Sequence, residues 1–479
     1  MVLRIAFLNP QGNFDSNNTG IGEHPDFGGQ LIYVRELSQC LAKRHGVDID
    51  IITRRFHDDR WPAFSHPIDC LPVPPANQCG QVRILRIPCG PQTFLKKEDL
   101  WPHLEEWVQN IVDFYLNFEG KPPDASAGHY ADGGLACALL QEISRIPFAS
   151  FTAHSLGAQK RDALIRKGKP LGEFNFPARF EAEMRCMRDA FRIVVSTDME
   201  RCEQYAHPVY NPVIDVELDR GRFVCIPPGI NVDVFGPTTV GTMDESTVQR
   251  FMASVDREIP THRRDLPVVI AAGRLDFKKN HISIVQAFAK HRSLRTNANL
   301  VLLVSGGIEA FRRPEECGFS EEELQVAMEV KRVIEEAMME GDCVVVPGLQ
   351  NTQSELAAIF RHLGRTKQGI FCDAAHYEPF GLMVLEAIVA GIPAVCTKNG
   401  GPSESLRRGH EQYAVLVDVN DIEELSEGLH QLVASGEKWE EYQRKGQSHV
   451  LDRFTWDKAA DQYLRVIVDA IDERVSDPK

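Results

Sequence analysis

The sequence predicts an α/β protein of two doubly wound domains that face one cleft. Short apolar runs of strand length alternate with longer segments whose apolar residues recur at helical spacing, and both halves of the chain show this alternation. A length of 479 residues exceeds what one hydrophobic core supports, so two domains are expected. A Pro- and Gly-rich crossing, RFVCIPPGINVDVFGP at 222–237, separates the halves.

The first half opens with LRIAFLNP, a strand that is apolar on both faces and is stopped by an Asn-Pro pair. The next segment predicts a helix, because Ile32, Leu37 and Leu41 recur at helical spacing before a glycine. A second helix is predicted after Pro102. The remaining predicted strands of this half are VDIDIITRR (47–55), GQVRILRIP (80–88), PFASFTAHS (147–155) and RIVVSTDM (192–199).

The second half repeats the alternation. Its predicted strands are LPVVIAAGRLD (266–276), ANLVLLVSGG (298–307), DCVVVPGL (342–349), GIFCDAA (369–375) and IPAVCTKN (392–399). Strands that alternate with helices form parallel sheets. Ligands of such sheets bind beyond the carboxyl ends of the strands, so the residues just after each strand are the candidates for function.

We expect an N-terminal domain over 1–227 and a C-terminal domain over 228–454. The charged C-terminal segment has helical patterns and no further predicted strand. We expect its last part, 455–479, to return to the first domain, because Trp456 and Tyr463 need an apolar surface to cover.

Composition excludes several classes of function. Lys plus Arg is 53 and Asp plus Glu is 68, which gives a net charge of −15 and argues against nucleic acid as the main partner. No apolar stretch reaches the length of a membrane span. The twelve cysteines are scattered without a C-x-x-C pair, and Cys225, Cys372 and Cys396 lie in apolar strand-like runs. This pattern favours buried, reduced thiols and hence a cytoplasmic location.

Three stretches of the first half carry candidate residues. Gly28 and Gly29 precede a helix, where they form either an anion site or a tight turn. The spacing is not G-x-G-x-x-G, so a nicotinamide cofactor is not predicted. His154 and Ser155 follow a strand, with Lys160 further along, and this is an unusually polar strand exit. By spacing alone, Lys97 and Arg179 are ordinary surface cations.

In the second half, Arg274 and Lys279 follow a strand and either clamp a diphosphate or lie in a surface loop. Glu378 stands just before an apolar helix and Glu386 lies inside it. A carboxylate within an apolar helix needs a partner. The ribose and hexose hydroxyls of a sugar nucleotide would supply partners, with the diphosphate at the helix N-terminus.

The stretch from Glu378 through Pro-Phe-Gly-Leu to Glu386, with Arg274 and Lys279 upstream, resembles the donor site of retaining nucleotide-sugar glycosyltransferases. That group has the GT-B fold, in which two Rossmann-like domains face each other and C-terminal helices return to the first. GGQ at 28–30, HYADGG at 129–134 and HSLGAQK at 154–160 narrow the resemblance to the sucrose-phosphate synthase family.

The resemblance implies transfer of glucose from UDP-glucose to fructose 6-phosphate with retention. Its donor site would hold the diphosphate on Arg274 and Lys279, the ribose on Glu386 and the glucose on Glu378, along the turn of Phe380, Gly381 and Leu382. His154 would lie near the reacting carbon, and the leaving phosphate would assist front-face attack. The implied catalytic residues are His154, Glu378, Arg274 and Lys279. The implied acceptor residues are Gly28, Gln30, Lys97, Tyr130, Ser155, Lys160 and Arg179, with the three cations on the phosphate.

The family resemblance implies no metal and no cofactor, and a separate sucrose-phosphate phosphatase as a partner, because this chain stops soon after its crossing helix. Sucrose synthase shares the donor motif, but it resembles a longer chain with an N-terminal extension. A mannosylfructose-phosphate synthase and a sugar-nucleotide sensor without catalysis are further alternatives. The polar segment 309–323 has no assigned role.

Overall fold

The structure of the chain is a computed structural model. It describes residues 2–11, 14–15, 29–73, 80–166, 168, 170–172, 174–237, 242–304, 307, 309–338, 343–345, 352–366 and 369–476. The chain divides into two units. Unit 1 comprises Met1–Gly229 with Trp456–Lys479, and unit 2 comprises Ile230–Thr455.

Unit 1 is built on a twisted sheet whose order is β3-β4-β2-β1-β5-β6-β7-β8 in its described part. All neighbouring strands are parallel except β3, which runs antiparallel to β4 at the edge. The strands are β1 (Arg4–Leu8), β2 (Asp48–Arg55), β3 (Ile68–Leu71), β4 (Val82–Pro88), β5 (Ala125–His129), β6 (Phe148–Thr152), β7 (Arg192–Val195) and β8 (Phe223–Cys225).

The main sheet of unit 2 is parallel throughout, in the order β11-β10-β9-β12-β13-β16 as far as the chain is described. A short antiparallel hairpin, β14-β15, stands apart from it. The strands are β9 (Val268–Ala272), β10 (Asn299–Leu303), β11 (Cys343–Val345), β12 (Ile370–Asp373), β13 (Ala394–Thr397), β14 (Arg407–Arg408), β15 (Glu411–Gln412) and β16 (Val415–Val417).

The helices connect the strands. Those of unit 1 are α1 (Gly29–His45), α2 (Lys97–Leu100), α3 (Leu104–Phe114), α4 (Tyr130–Ser144), α5 (Gly157–Arg166), α6 (Phe176–Asp189), α7 (Asp198–Glu200) and α19 (Trp456–Ser476). Those of unit 2 are α8 (Val232–Phe235), α9 (Thr242–Glu258), α10 (His281–Lys290), α11 (Arg292–Asn297), α12 (Glu309–Arg312), α13 (Glu321–Glu336), α14 (Gln353–Thr366), α15 (Leu382–Val389), α16 (Pro402–Ser405), α17 (Ile422–Val433) and α18 (Gly436–Arg453).

Each sheet is covered on both faces by a hydrophobic core. In β1, Phe7 packs into one core and Leu8 into the other. In β9, Ile270 and Val269 divide in the same way. Successive strand residues point to opposite faces, so a strand between two cores must be apolar on both. This confirms the predicted α/β fold class with two doubly wound units.

In both sheets the chain first adds strands on one side of the first strand and then adds the rest on its other side. In unit 1 the chain adds β2, β4 and β3 on one side of β1 and then β5 to β8 on the other. In unit 2 it adds β10 and β11 on one side of β9 and then β12, β13 and β16 on the other. The loops after the two central strands diverge at such a switch point and leave a crevice. The crevices therefore lie beyond the carboxyl ends of β1 and β5 in unit 1, and of β9 and β12 in unit 2.

The C-terminal helix α19 belongs to unit 1, which confirms the predicted return. Tyr463 on this helix is fully buried. Its hydroxyl accepts a hydrogen bond from Ser150 Oγ at 3.2 Å and lies 2.9 Å from Thr152 Oγ1. Both of these residues belong to β6, so α19 is tied to the sheet by polar contacts as well as by apolar packing.

Three details differ from the predictions. The crossing at 222–237 is not all linker, because its apolar run Phe223–Cys225 pairs with β7 as the edge strand β8. The strands β3, β5 and β16 and the hairpin β14-β15 were not predicted, because strands that are very short or consist of small or polar residues lack a clear apolar pattern. Cys225 is exposed on its edge strand, whereas Cys372 and Cys396 are buried as expected.

The described cysteines are all free. Among the described residues, no helix is both long enough and apolar enough to cross a membrane.

Replacing Tyr463 with Phe should destabilise the protein without removing the aromatic packing of α19. Two buried hydroxyls, on Ser150 and Thr152, would lose their partner, so we expect the free energy of unfolding to fall by about 1–3 kcal/mol. Denaturant unfolding followed by circular dichroism measures this change. Tyr413→Phe is the matched control, because the Tyr413 hydroxyl donates to Glu411 at the surface, and its loss should cost within about 0.5 kcal/mol. Equal losses in both variants would contradict the polar tie of α19.

Candidate active site

The switch point of unit 2 brings one lysine between two carboxylates. Lys279 follows β9, and its Nζ donates to Glu378 Oε2 at 2.8 Å. The same Nζ lies 3.6 Å from Asp373 Oδ2, at the end of β12. The side chains of Lys279 and Glu378 are 26% and 16% exposed, so solvent reaches the group but does not surround it.

The charge of Lys279 is maintained by its neighbours. Burial by itself lowers the lysine pKa, but the charges of Asp373 and Glu378 and the hydrogen bond to Glu378 outweigh it, so the net Lys279 pKa is raised. The ammonium therefore stays protonated at neutral pH and faces two carboxylates. An anionic ligand that contacts Nζ competes with Glu378 for it.

The loop that carries Arg274 is fixed at its backbone and exposed at its side chain. His281 is buried, and its Nε2 lies 3.2 Å from the Arg274 carbonyl oxygen. Asp276 Oδ1 accepts the backbone N–H of Lys279 at 2.9 Å. The Arg274 side chain is 79% exposed, with an ion pair of 3.1 Å to Asp276. A guanidinium in this position is available to a ligand at little cost in desolvation.

The turn before α15 is held by close backbone packing. Glu378 pairs with Gly400 as an isolated parallel bridge, and its carbonyl accepts the Gly401 N–H at 2.9 Å. A Cβ at Gly400 would lie 2.3 Å from the Glu378 carbonyl oxygen, so only glycine fits there. Gly381 precedes α15 with a φ of +92°. The turn therefore aims the first turn of α15 and the Glu378 side chain at the same end of the sheet.

The other predicted donor residues lie on this turn and helix. Phe380 is buried and packs edge-on against Phe454, with ring centroids 5.9 Å apart. Leu382 begins α15 and is 40% exposed. Glu386 is half-buried one turn further on. Phe380 thus anchors the turn, while Leu382 and Glu386 present the surface of the helix.

In unit 1, the backbone is strained just after the neighbouring strands β5 and β6. Tyr130 follows β5 with a φ of +61°, and His154 follows β6 with a φ of +54°. A bulky residue in the left-handed region costs on the order of 1–3 kcal/mol, and such residues concentrate at functional sites. Their rings approach each other, with centroids 5.3 Å apart. The left-handed backbone conformations thus place the side chains of Tyr130 and His154 next to each other at the carboxyl ends of β5 and β6.

His154 is a neutral imidazole. Burial, together with the smaller effect of the positive charge of Lys97, lowers its pKa to about 3. Its Nε2 lies 2.9 Å from Nδ1 of His129, a fully buried histidine at the end of β5. At neutral pH the His154 ring can therefore donate or accept a hydrogen bond, but it carries no charge and is a weak base.

Two of the predicted acceptor cations, Lys97 and Arg179, line one small pocket of unit 1. Tyr130, Phe174, Glu98 and Asp132 line it as well, and Lys160 lies beside it. Lys97 Nζ lies 3.8 Å from the centroid of the Tyr130 ring, and Lys160 Nζ lies 3.8 Å from that of Phe174. An ammonium group over an aromatic face is attracted by the ring and keeps its own charge.

Arg179 is held in place by a buried carboxylate that the sequence did not single out. Its Nε donates to Glu183 at 2.9 Å, and another guanidinium nitrogen donates to the Ser155 carbonyl at 2.7 Å. Glu183 is 1% exposed and also accepts from Gly157 N–H and the Tyr210 hydroxyl. Ser155 therefore contacts Arg179 through its backbone.

The glycine loop of unit 1 is only partly described. Gly28 lies outside the described residues. Gln30 lies in the first turn of α1 and is half-buried. Among the described residues, Gln30 does not line the pocket that contains Lys97 and Arg179.

Sequence reasoning did not assign a role to Asp373, His129 or Glu183. Asp373 is the last residue of β12, a strand that was predicted, so the expectation that function lies at strand ends would have found it. His129 begins the motif HYADGG, but it ends β5, a strand that was not predicted. Glu183 lies within α6, four residues after Arg179, and this spacing alone marks an ordinary surface ion pair. Only the burial of the Glu183 carboxylate distinguishes this pair from a surface ion pair.

One group of metal-type ligands lies elsewhere in unit 2, at His291, Glu427 and His430. His291 Nδ1 accepts the N–H of Leu294 at 3.3 Å, and its Nε2 lies 3.3 Å from Glu427. The proton of the neutral ring is therefore on Nε2, the nitrogen that would have to bind an ion. This group is a hydrogen-bond network that caps α11.

The chain matches two protein-family models. The model described as Glycosyl transferase 4-like domain covers residues 28–216, and the model described as Glycosyl transferases group 1 covers 253–449. Among solved structures, a sucrose-phosphate synthase from Thermosynechococcus elongatus superposes with a TM-score of 0.67 at 20% identity. The match covers 98% of this chain and 100% of that one, and it supports the GT-B fold.

Two curated relatives match along nearly the whole chain. Sucrose-phosphate synthase 4 of Arabidopsis thaliana is 30% identical over 512 residues, which cover 96% of this chain and 47% of the plant protein. The chain thus spans about half the length of that relative. A probable sucrose-phosphate synthase of Thermosipho melanesiensis is 37% identical over 467 residues, which cover 97% of this chain and 96% of the relative. The chain therefore belongs to the sucrose-phosphate synthase family and is a glycosyltransferase.

Proposed function

We propose that the chain acts in the cytoplasm and transfers glucose from UDP-glucose to fructose 6-phosphate with retention of configuration. The products are sucrose 6-phosphate and UDP, and a separate phosphatase would remove the phosphate. The observation that carries the choice of acceptor is that Lys97 and Arg179 line one pocket of unit 1 and that Lys160 packs on Phe174, a residue of its wall. These cations fit a small phosphorylated sugar better than a neutral one.

The donor would bind at the switch point of unit 2. Its diphosphate would contact Arg274 and Lys279, with the ribose at Glu386 and the glucose at Glu378. When Lys279 Nζ turns to the diphosphate, its 2.8 Å bond to Glu378 is exchanged for a phosphate contact. Glu378 is then available to accept hydrogen bonds from glucose hydroxyls. The ion pair of the free protein and the donor contacts would thus be alternatives.

The bond from the glucose anomeric carbon to the UDP oxygen breaks as the bond to the acceptor hydroxyl oxygen forms on the same face. The hydroxyl proton needs a base. A His154 pKa of about 3 makes the imidazole a weak one, so we assign the proton to the leaving diphosphate, which accumulates negative charge. Arg274 and Lys279 stabilise that charge. The two cations supply the role that a metal ion has elsewhere, and we propose that none is required.

The first experiment measures UDP release from UDP-glucose with fructose 6-phosphate or with free fructose, each with and without a chelator. Two charge-assisted contacts of roughly 1.5–3 kcal/mol each predict a preference of about 10²–10⁴-fold for the phosphorylated sugar. We expect turnover to persist in the chelator. Turnover with fructose instead would indicate a sucrose synthase. Release of GDP from GDP-mannose would indicate a mannosyltransferase, and UDP binding without turnover a sensor.

Lys160→Ala should raise the KM for fructose 6-phosphate by about 10–100-fold, because one charge-assisted phosphate contact is worth roughly 1.5–3 kcal/mol. The KM for UDP-glucose should not change. Steady-state kinetics with each substrate varied in turn measures the two constants. Lys121→Ala is the control, since Lys121 pairs with Asp124 at the surface of the same unit. Equal changes in both KM values for Lys160→Ala would remove this residue from the acceptor site.

Glu378→Gln should have opposite effects on two ligands. Removing the carboxylate frees Lys279 for phosphate, so UDP should bind more tightly, by up to about fivefold for a partly exposed ion pair. Turnover of UDP-glucose should fall, because the glucose loses a charged acceptor. Calorimetry with UDP and rate measurements with UDP-glucose test the two arms. Glu424→Gln, which removes a surface partner of Lys398, should change neither. Weaker UDP binding in Glu378→Gln would contradict the competition.

A further inference from the structure

His129 is the last residue of β5 and has no role in the reaction proposed above. It is hydrogen-bonded to His154, which does have a role in that reaction. It is 1% exposed, and its Nδ1 lies 2.9 Å from His154 Nε2. The two rings are nearly parallel, with an interplanar angle of 27° and centroids 5.1 Å apart. A buried imidazole therefore sets the environment of one nitrogen of His154.

Aromatic packing fixes the plane of the His154 ring. Tyr33 on α1 packs edge-on against His154 and His129, with centroid distances of 5.0 Å and 5.9 Å. Tyr33 is itself held edge-on by Trp456 of α19 at 5.2 Å. The two rings therefore have little freedom to tilt, and the remaining variable is which nitrogens carry the protons.

The bond between the two histidines has two possible directions. If His154 Nε2–H donates, then the proton of His129 is on Nε2, and a buried N–H is left unpaired, because that atom has no partner within the described chain. If His129 Nδ1–H donates, the unpaired atom is an acceptor. Unpaired buried N–H groups are rarer in proteins than unpaired buried acceptors. The second direction is therefore favoured, and it leaves the His154 proton on Nδ1.

We propose that His129 is a positioning residue which donates its Nδ1–H to His154 Nε2, holds His154 as the neutral Nδ1–H tautomer, and so makes Nδ1 a hydrogen-bond donor to a hexose oxygen. Nδ1 makes no hydrogen bond to the described part of the chain, so it is the nitrogen left for a ligand. Burial also lowers the pKa of both histidines, which keeps the pair uncharged. The identity of the ligand as a hexose rests on the proposed function.

The first test reads the tautomer without any substrate. Long-range ¹H–¹⁵N spectra of the ¹⁵N-histidine-labelled full chain distinguish Nδ1–H, Nε2–H and charged rings, and His154→Ala identifies the signal of interest. We expect His154 to carry its proton on Nδ1. A proton on Nε2, or a charged ring, would overturn the proposal. This readout stays valid even if the wild-type chain releases no UDP, in which case the proposed function fails separately.

The second test uses substitutions at position 129. The amide of Asn occupies the place of imidazole Nδ1, whereas that of Gln occupies the place of Nε2. We therefore expect His129→Asn to keep kcat within about threefold of wild type, and His129→Gln and His129→Leu to lower it about tenfold, the worth of one neutral hydrogen bond. The KM for fructose 6-phosphate should stay constant. His66→Asn, at an exposed histidine of unit 1, should have no effect.

Thermal unfolding of the same variants separates positioning from folding. His129→Asn and His129→Gln should unfold within a few degrees of each other, so that their difference in kcat reflects the bond to His154. Equal kcat values for these two variants would overturn the proposal. If His129→Leu does not fold, the comparison of Asn with Gln still decides.

Discussion

A parallel sheet that is buried on both faces can keep a polar side chain within a strand only where a partner satisfies it, as Tyr463 does for Ser150. In both units of this protein, cores cover the two faces of the sheet. A charge within a strand must be desolvated and needs a partner there, as Asp50 of β2 has in Arg83 of β4. A side chain at a strand end is free of this requirement, and His129, His154, Lys279 and Asp373 lie at or just beyond the carboxyl ends of strands. The acceptor cations Lys160 and Arg179 instead lie on the helices that follow β6.

Under the proposed function, the ion pairs at the site of unit 2 would be exchanged for ligand contacts rather than kept. Lys279 faces two carboxylates, so an ion pair exists before any ligand arrives. Such a pair avoids an isolated, partly buried cation, and it can be replaced by a phosphate contact of similar strength. Arg274 contributes the complementary property, since its exposed guanidinium meets a ligand without prior desolvation. Together they supply positive charge where a leaving diphosphate would need it.

Unit 1 uses rigidity where unit 2 uses charge. Tyr130 and His154 hold strained backbone conformations, and Tyr33 and His129 contact the His154 imidazole. Trp456 of α19 packs against Tyr33, so the return of this helix supports the His154 ring indirectly. The buried carboxylate of Glu183 likewise holds one of the acceptor cations in place, because it accepts a hydrogen bond from the guanidinium of Arg179.

The sequence by itself determined the fold class, the order of most strands and the return of the last helix, because burial on two faces leaves an apolar pattern that is local in the chain. It also identified the motif at Glu378 and the cations Arg274 and Lys279 as candidates. Only the tertiary structure placed Asp373 beside Lys279, His129 beside His154, and Glu183 beneath Arg179. Except for Glu183, each of these partners lies on another strand, many residues away along the chain, at no common spacing. The burial that gives all three their roles is a property of the packed sheet, which no local pattern records.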